Sequence, residues 1–215
     1  WADSMKVKGF SKSMIQNTLT CLQGAMNYAI LPLKYIQANP CVAVKIGKMP
    51  MDMTAKAHTE YICSAEEFNQ ILKRFPADNC FHLSLVVPYN TGTRIGETFA
   101  IDLSQDVDFE KHELRIHGQM QKVEKTWYIK PPKYDSYRTI KMGETLEKEL
   151  KFAIQQRRIN KLKYGGAYSK TYLLPDRSIA QIRADIDVPY KEILPLCVKE
   201  NGALLTPDSF KYCAR

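Results

Sequence analysis

The sequence predicts a mainly α-helical protein of the α+β class, with a small antiparallel three-stranded β-sheet. Apolar residues recur every three or four positions near the N-terminus and again after position 144, which is typical of amphipathic helices. Between these regions, three short segments alternate apolar and polar side chains, as antiparallel strands do. The three predicted strands are 112–117, 126–129 and 138–142.

The first long element is predicted to be a helix over residues 11–30, where the apolar residues keep helical spacing. Ser11 or Ser13 can cap its start, because a serine hydroxyl accepts a hydrogen bond from a free backbone N–H. Pro32 is expected to end or kink this helix, since proline lacks the N–H that a continuing helix needs.

A basic linker is predicted at residues 45–62, which lack a clean period and contain several lysines. It separates a helical N-terminal domain at residues 1–44 from a second domain at residues 63–215. The lysines of the linker are Lys45, Lys48 and Lys56.

The second domain is predicted to begin with helices. Ser64 and Glu67 have the spacing of a capping box, so a helix is expected to start there and to end at Pro76. Residues 81–89 are strongly apolar and predict a buried helix. Another helix is expected at residues 94–100, after a break in the chain.

After the predicted strands, residues 144–164 are expected to form a long helix that Gly165 ends. Residues 188–200 are predicted to form a further helix, and Pro207 opens a last one. Four basic residues of the long helix are expected to form a solvated face: Arg157, Arg158, Lys161 and Lys163.

The net charge of +8 on 215 residues favours a polyanionic partner, nucleic acid before a membrane, because released counterions drive such binding. No apolar run reaches the roughly 20 residues that span a bilayer, and a secretory leader is not expected. The six cysteines include no C-x-x-C pair, which argues against a zinc site and for reduced thiols in the cytosol.

An arginine lies at position 94 between two glycines, where a helix is expected to start. A cation there opposes the helix macrodipole. The residues alone leave two explanations open. Arg94 can form a structural ion pair with Glu97, three residues on. Alternatively, Gly92 lets the backbone approach a phosphate, to which Arg94 offers a bidentate pair of N–H groups.

Three stretches of the chain carry a resemblance to a known family. T-G-x-R-x-G-E at 91–97, followed by Asp residues at 106–108, resembles the first conserved box of the tyrosine recombinases, the phage-integrase family. PPKYDSYRTI at 131–140 resembles the family's T-K-T-x-x-S-x-R-x-I turn. NYAILPLKYIQANP at 27–40 resembles the end of its core-binding domain. The match spans nearly the whole chain. Within the family, the sequence is similar to integrases of conjugative transposons and Gram-positive prophages.

The resemblance implies that residues 1–44 are the C-terminal part of the helical core-binding domain and that 63–215 begin the catalytic domain. The family cuts and rejoins DNA through a 3′-phosphotyrosyl intermediate, without a metal or other cofactor. It implies that Arg94 holds the scissile phosphate and that Lys133 protonates the leaving 5′-oxygen. Glu97 is then expected to support Arg94.

The resemblance also implies partners. These are double-stranded DNA at attachment sites, a tetrameric synapse of the intact enzyme and an excisionase, with no membrane. The place of action is then the bacterial cytoplasm, on nucleoid DNA. The residues expected to contact DNA are Lys12, Ser13, Lys45, Lys48, Lys56, Thr93, Ser136 and Arg138.

The sequence departs from the family after Lys133, where an H-x-x-R motif and then a nucleophilic tyrosine are expected. His112 and Arg115 spell H-x-x-R, but they precede Lys133 and lie in an alternating segment, so we exclude them. Tyr212 comes too early to be the nucleophile and is expected to pack in the core. The chain is therefore interpreted as C-terminally truncated and unable to cleave DNA as it stands.

Three functions remain open at this point. The first is a recombinase that integrates and excises a mobile element. The second is a non-catalytic relative that occupies DNA sites without cutting them. The third is an unrelated basic helical interaction protein whose motif matches arise by chance.

Overall fold

The computed structural model describes residues 1–47 and 62–213, and the chain divides into two compact units, Trp1–Ile62 and Cys63–Arg215. Lys48 and Lys56, two of the predicted DNA contacts, lie outside the described residues.

Over residues 1–47, the first unit contains two helices, α1 (Ala2–Val7) and α2 (Lys12–Ile30). The Ser11 hydroxyl accepts a hydrogen bond from the backbone N–H of Met14 at 3.2 Å, so it caps α2 as the sequence predicted.

The segment after α2 folds back against the helix. The side-chain amide of Asn39 donates to the carbonyl of Gln23 at 3.2 Å, and the amide of Gln23 donates to the carbonyl of Cys41 at 3.0 Å. Cys41 is buried with Ile15 and Leu19 of α2. A few apolar side chains and the amide hydrogen bonds of Gln23 and Asn39 therefore hold this short unit together.

The second unit contains five α-helices among its described residues. They confirm the helices predicted around residues 64–75, 81–89, 94–100, 144–164 and 207–210. They are α3 (Ala65–Arg74), α4 (His82–Thr91), α5 (Ile95–Ala100), α6 (Glu144–Tyr164) and α7 (Pro207–Cys213).

The strands of the second unit are short, as the alternating pattern predicted, but more numerous than expected. They are β1 (Val107–Asp108), β2 (Glu113–Ile116), β3 (Gln119–Val123), β4 (Thr126–Lys130), β5 (Arg138–Lys141), β6 (Ser169–Leu173), β7 (Ile179–Arg183) and β8 (Lys191–Ile193).

These strands form three antiparallel sheets within the described residues, in the orders β1-β2-β5, β3-β4 and β7-β6-β8. The predicted α+β class is confirmed, but the three predicted strands do not share one sheet. β2 pairs with β5, with Leu114 opposite Ile140, whereas β4 pairs with β3. Between β2 and β3 the chain passes through Gly118, where a Cβ atom would lie 2.8 Å from Cγ2 of Ile129.

The helix predicted at residues 188–200 is wrong. The segment instead forms β8 and then runs beside the end of α5, where the N–H of Leu103 donates to the carbonyl of Leu194 at 2.8 Å. Pro195 explains the difference, because it lacks an N–H and favours an extended conformation for the residue before it. The three residues of β8 are too few for an alternation of apolar and polar side chains to predict a strand.

The predicted solvated face of α6 is also partly wrong. The guanidinium of Arg157 turns inward and donates to the carbonyls of Pro195 and Leu196. These carbonyls belong to the extended segment that follows β8. The sequence predicted a helix for this segment, so it did not predict that these carbonyls accept hydrogen bonds from Arg157.

The core of the second unit surrounds α5, which packs against α4, α7 and β3. Phe99 of α5 is almost fully buried, as are Leu114 of β2 and Leu150 of α6. The packing fixes α5 although a helix of six residues is too short to be stable alone. In the part of the chain that the structure describes, no helix has both the length and the apolar character to cross a membrane.

We predict that Leu150→Ala lowers the free energy of unfolding of the second unit by about 2–4 kcal/mol, because it leaves a cavity in the core. Leu162→Ala is the matched control. It makes the same change on the same helix at a side chain that is 85% exposed, against 1% for Leu150, and should change stability by less than about 0.5 kcal/mol. Denaturant unfolding followed by circular dichroism measures both, and equal losses would contradict this packing of α6.

Candidate active site

A tight turn between α4 and α5 brings an arginine to the surface. Gly92 adopts a left-handed conformation with φ of 64°, and its N–H donates to the carbonyl of Pro88 at 2.8 Å. Glycine adopts this conformation without the steric cost that a side chain brings. The chain then reverses, and Arg94 becomes the residue that precedes the first turn of α5.

Arg94 and Glu97 form an ion pair, which is one of the two explanations that the sequence left open. The Arg94 backbone N–H donates to Glu97 Oε2 at 3.0 Å, and its Nη1 donates to Glu97 Oε1 at 2.8 Å. The Glu97 side chain is 1% exposed, whereas that of Arg94 is 53% exposed. The pair therefore anchors one edge of the guanidinium and leaves the rest open to solvent.

Lys133 lies in the turn between β4 and β5, at the start of a 3₁₀ turn over Lys133–Asp135. The next two residues, Tyr134 and Asp135, both have positive φ, at 61° and 49°. The Lys133 side chain is exposed, and its ammonium lies 5.1 Å from the centroid of the Tyr134 ring. Among the described residues, no carboxylate pairs with Lys133.

Ser136 and Arg138 connect this turn to α5. Arg138 Nη2 donates to Glu97 Oε2 at 2.7 Å, and its Nη1 donates to the carbonyl of Ser136 at 3.3 Å. The Ser136 hydroxyl lies 3.4 Å from Arg94 Nη1, at the limit of a hydrogen bond. Residues from α5, the turn and β5 thus meet around one carboxylate.

The Glu97 carboxylate stays ionised although it is buried. Burial raises the pKa of Glu97, but hydrogen bonds from Arg138 and from the backbone and guanidinium of Arg94 outweigh it and bring the pKa to about 2. The site therefore holds two guanidinium cations and one carboxylate anion at neutral pH.

Thr93 directs its side chain inward. It is buried, and its hydroxyl lies 2.9 Å from the Thr98 hydroxyl and 3.1 Å from that of Thr91. Its side chain thus lies under the turn rather than on its outer face. The predicted DNA contacts Lys12, Ser13 and Lys45 are exposed in the first unit.

The sequence missed the partner of Arg138, which it placed among the DNA contacts. Arg138 and Glu97 are 41 positions apart, and no local pattern predicts their pairing. The alternation of residues 138–142 was the only signal, because it put Arg138 on a strand next to the Lys133 turn.

His112 and Arg115 face away from this cluster. His112 Nδ1 lies 2.5 Å from Glu147 Oε1 on α6, and Arg115 in β2 donates to the carbonyl of Gln105. Both side chains therefore have their partners outside the cluster around Glu97. Within residues 1–47 and 62–213, no group of three histidine, cysteine or carboxylate side chains could hold a metal ion.

Known proteins resemble the chain in sequence and in fold. No family model matches it. A curated protein, "Tyrosine recombinase XerC-like" of Caldanaerobacter subterraneus subsp. tengcongensis, is 28% identical over 171 residues, which cover 75% of this chain and 43% of the relative.

Solved structures of the Tn1549 transposon integrase share the fold. A complex with a circular intermediate DNA has a TM-score of 0.62 and 22% identity, and it covers 99% of this chain and 60% of that one. A complex with transposon right end DNA has a TM-score of 0.61, also with 22% identity, over 98% and 58%. The chain thus spans less than two thirds of these relatives. The predicted resemblance to tyrosine recombinases and transposon integrases is confirmed.

We predict that Glu97 contributes stability which depends on pH. Because its folded-state pKa of about 2 lies below its ordinary value of 4.5, this contribution is present above pH 4.5 and is lost as the pH falls toward 2. The loss should reach about 3 kcal/mol, since each pH unit between the two values corresponds to about 1.4 kcal/mol.

Denaturant unfolding of the wild type and Glu97→Gln, at several pH values from 2 to 7, measures this contribution. The difference between the two proteins should shrink as the pH falls from 4.5 to 2. The exposed Glu110 provides the control, because Glu110→Gln removes a carboxylate away from the arginines. A difference for Glu97→Gln that stays constant over this range would contradict the prediction.

Proposed function

We propose that this chain, as a relative of the tyrosine recombinases, is part of a site-specific DNA recombinase that integrates and excises a mobile element. The observation that carries the proposal is the meeting of Arg94 with the turn of Lys133 around Glu97. These are the positions at which the family resemblance expects the catalytic arginine and lysine. Fixed cations of this kind stabilise a phosphoryl-transfer transition state without a metal.

Arg94 has the role of holding the scissile phosphate. One Nη is bound to Glu97, and the half-exposed remainder of the guanidinium is free to donate to two phosphate oxygens. Glu97 sets the orientation of Arg94 because its two oxygens bind both the backbone and the guanidinium of that residue. Glu97 itself is buried and does not touch DNA.

Lys133 has the role of the general acid. Its exposed position on a turn allows the ammonium to reach the leaving 5′-oxygen of a bound strand. In the forward step, the tyrosine hydroxyl gives its proton to water as its oxygen bonds to phosphorus. The bond from phosphorus to the 5′-oxygen breaks, and Lys133 gives its proton to that oxygen. The 5′-hydroxyl of another strand reverses the step and restores the tyrosine.

The nucleophilic tyrosine of that reaction is not assigned among these 215 residues. No H-x-x-R motif follows Lys133, and Tyr212 lies in α7, with its side chain outside the described part of the chain. We therefore propose that these residues bind and orient DNA but do not cleave it by themselves.

The proposed partner is double-stranded DNA at the attachment sites of the element. The Tn1549 transposon integrase was solved in complex with DNA, which supports a DNA partner for this chain. The net charge of +8 and the exposed Lys12, Ser13 and Lys45 also favour it. A tetrameric synapse, an excisionase and a location on nucleoid DNA in the bacterial cytoplasm belong to the same proposal.

A non-catalytic DNA-binding relative is the second candidate function. The departure from the family pattern after Lys133 favours it, because a protein without the rest of the catalytic set could still occupy sites. Both candidates need Arg94 at a phosphate, whereas a chance match of motifs does not.

We predict that binding of the 215-residue chain to duplex DNA weakens steeply with salt, with a linear plot of log K against log salt concentration. Arg94→Ala should weaken binding and reduce the magnitude of the slope by about 1, as expected for one lost phosphate contact. Fluorescence anisotropy over a range of salt concentrations measures both quantities.

Arg183→Ala is the matched control for this measurement, since Arg183 is an exposed arginine paired with Asp185, away from α5. It should leave the slope nearly unchanged. A flat salt dependence of the wild type would rule out the electrostatic interface. If Arg94→Ala lowers stability but not DNA affinity, the motif match arises by chance.

We further predict that the purified 215-residue chain forms no covalent adduct with nicked duplexes of random sequence around the nick. A nick traps the phosphotyrosyl intermediate. Cleavage next to the nick releases a short fragment that carries the 5′-hydroxyl, and once this fragment diffuses away the strand cannot be rejoined. Denaturing electrophoresis detects such an adduct as a band of reduced mobility. An adduct that disappears in Tyr212→Phe would overturn this prediction and assign the nucleophile to Tyr212.

A further inference from the structure

Two arginines share the buried carboxylate of Glu97, and only one of them is half-exposed. We propose that Arg138 is a positioning residue, which occupies one side of Glu97, balances its charge and thereby leaves Arg94 available to a phosphate. This inference rests on the proposed function and replaces the expectation that Arg138 itself contacts DNA.

The oxygens of Glu97 are divided between the two arginines. Oε1 accepts from Arg94 Nη1 at 2.8 Å. Oε2 accepts from Arg138 Nη2 at 2.7 Å and from the Arg94 backbone N–H at 3.0 Å. A carboxylate can bind one guanidinium through both oxygens, so Arg138 occupies the place that a second N–H of Arg94 would take.

The charges lead to the same conclusion. Arg94 and Glu97 alone would form a neutral pair, and a phosphate would meet the repulsion of the carboxylate as well as the attraction of the guanidinium. Arg138 adds one positive charge, so the three groups together carry a net charge of +1. A site for an anion next to a buried carboxylate needs such a second cation.

The position of Arg138 does not favour a direct contact with DNA. Its side chain is 32% exposed, and both of its Nη atoms donate to protein acceptors, at Glu97 Oε2 and the carbonyl of Ser136. The bond to Ser136 also fixes the end of the turn that carries Lys133. One side chain thus sets the positions of both proposed catalytic residues.

A rescue experiment separates this role from a direct phosphate contact. The probe is a 30-base-pair duplex of random sequence at low salt, and anisotropy gives the affinity of the 215-residue chain. Arg138→Gln should weaken binding about tenfold, as expected for a lost charge-assisted hydrogen bond that holds a binding group in place. The double variant Glu97→Gln/Arg138→Gln should recover to within about threefold of the wild type, because the charge that Arg138 balances is then gone.

The absence of rescue would overturn the proposal, since a direct phosphate contact by Arg138 cannot be restored by changing Glu97. Lys141→Gln is the matched control. It removes one positive charge from the same strand, at an exposed lysine paired with Glu113, and should weaken binding less than threefold. An equal effect of Lys141→Gln and Arg138→Gln would also overturn the proposal, because general charge would then explain both.

Circular dichroism of each variant shows whether it is folded. If Arg138→Gln unfolds, the wild type decides the question through the Nε–H signals of Arg94 and Arg138 in an NMR titration with the same duplex. The Arg94 signal should shift on binding and the Arg138 signal should shift less, because Arg138 stays bonded to Glu97 and to the carbonyl of Ser136. A shift of Arg138 as large as that of Arg94 would contradict the proposal.

Inorganic phosphate gives the same comparison without DNA, through the Nε–H signal of Arg94 in NMR titrations. The wild type and the double variant should respond at similar phosphate concentrations, and Arg138→Gln should need about tenfold more. If the wild type binds phosphate but not DNA, the proposed function fails and the role of Arg138 stands on the phosphate result. If the wild type binds DNA but rescue fails with both probes, only the role of Arg138 is wrong.

Discussion

The buried, ionised carboxylate of Glu97 is the constraint on which the rest of the site depends. An unpaired charge in the interior of a protein costs several kcal/mol, so this carboxylate requires its cationic partners. Those partners come from two places that are far apart in sequence, the start of α5 and the first residue of β5. The need to satisfy one acidic group therefore brings together a helix, a turn and a strand, and the exposed cations are positioned as a result.

The surrounding fold fixes the positions of Arg94 and Arg138 relative to Glu97. A helix of six residues has little stability of its own, and α5 is held by the burial of Phe99 and by its packing against neighbouring helices and β3. Gly92 supplies the left-handed turn that directs the chain from α4 into α5. On the other side, the pairing of β5 with β2 fixes Arg138 opposite Ile116. Core packing and strand register thus determine where the two ends of the Glu97 cluster lie.

Much of this arrangement could be predicted from the sequence, and the failures have a common cause. Long periodic helices, the capping box and the alternating strands are local patterns, and the structure contains them. Arg94 and Lys133 were found because their short motifs resemble those of a known family. The sheet of β6, β7 and β8 and the inward turn of Arg157 were missed, as was the pairing of Arg138 with Glu97. The pairing of β8 with β6, the inward turn of Arg157 and the bond from Arg138 to Glu97 each depend on contacts between residues distant in the chain, which no local spacing records.

The low pKa of Glu97 has a consequence for control of the protein. Arginine remains protonated at every pH that a cell experiences, and a carboxyl with a pKa of about 2 remains deprotonated over the same range. The charge of the cluster is therefore fixed over the physiological pH range, and a change of pH within that range does not alter it. Any control of this cluster therefore has to act on its geometry, for example by moving the turn that carries Lys133, rather than on protonation.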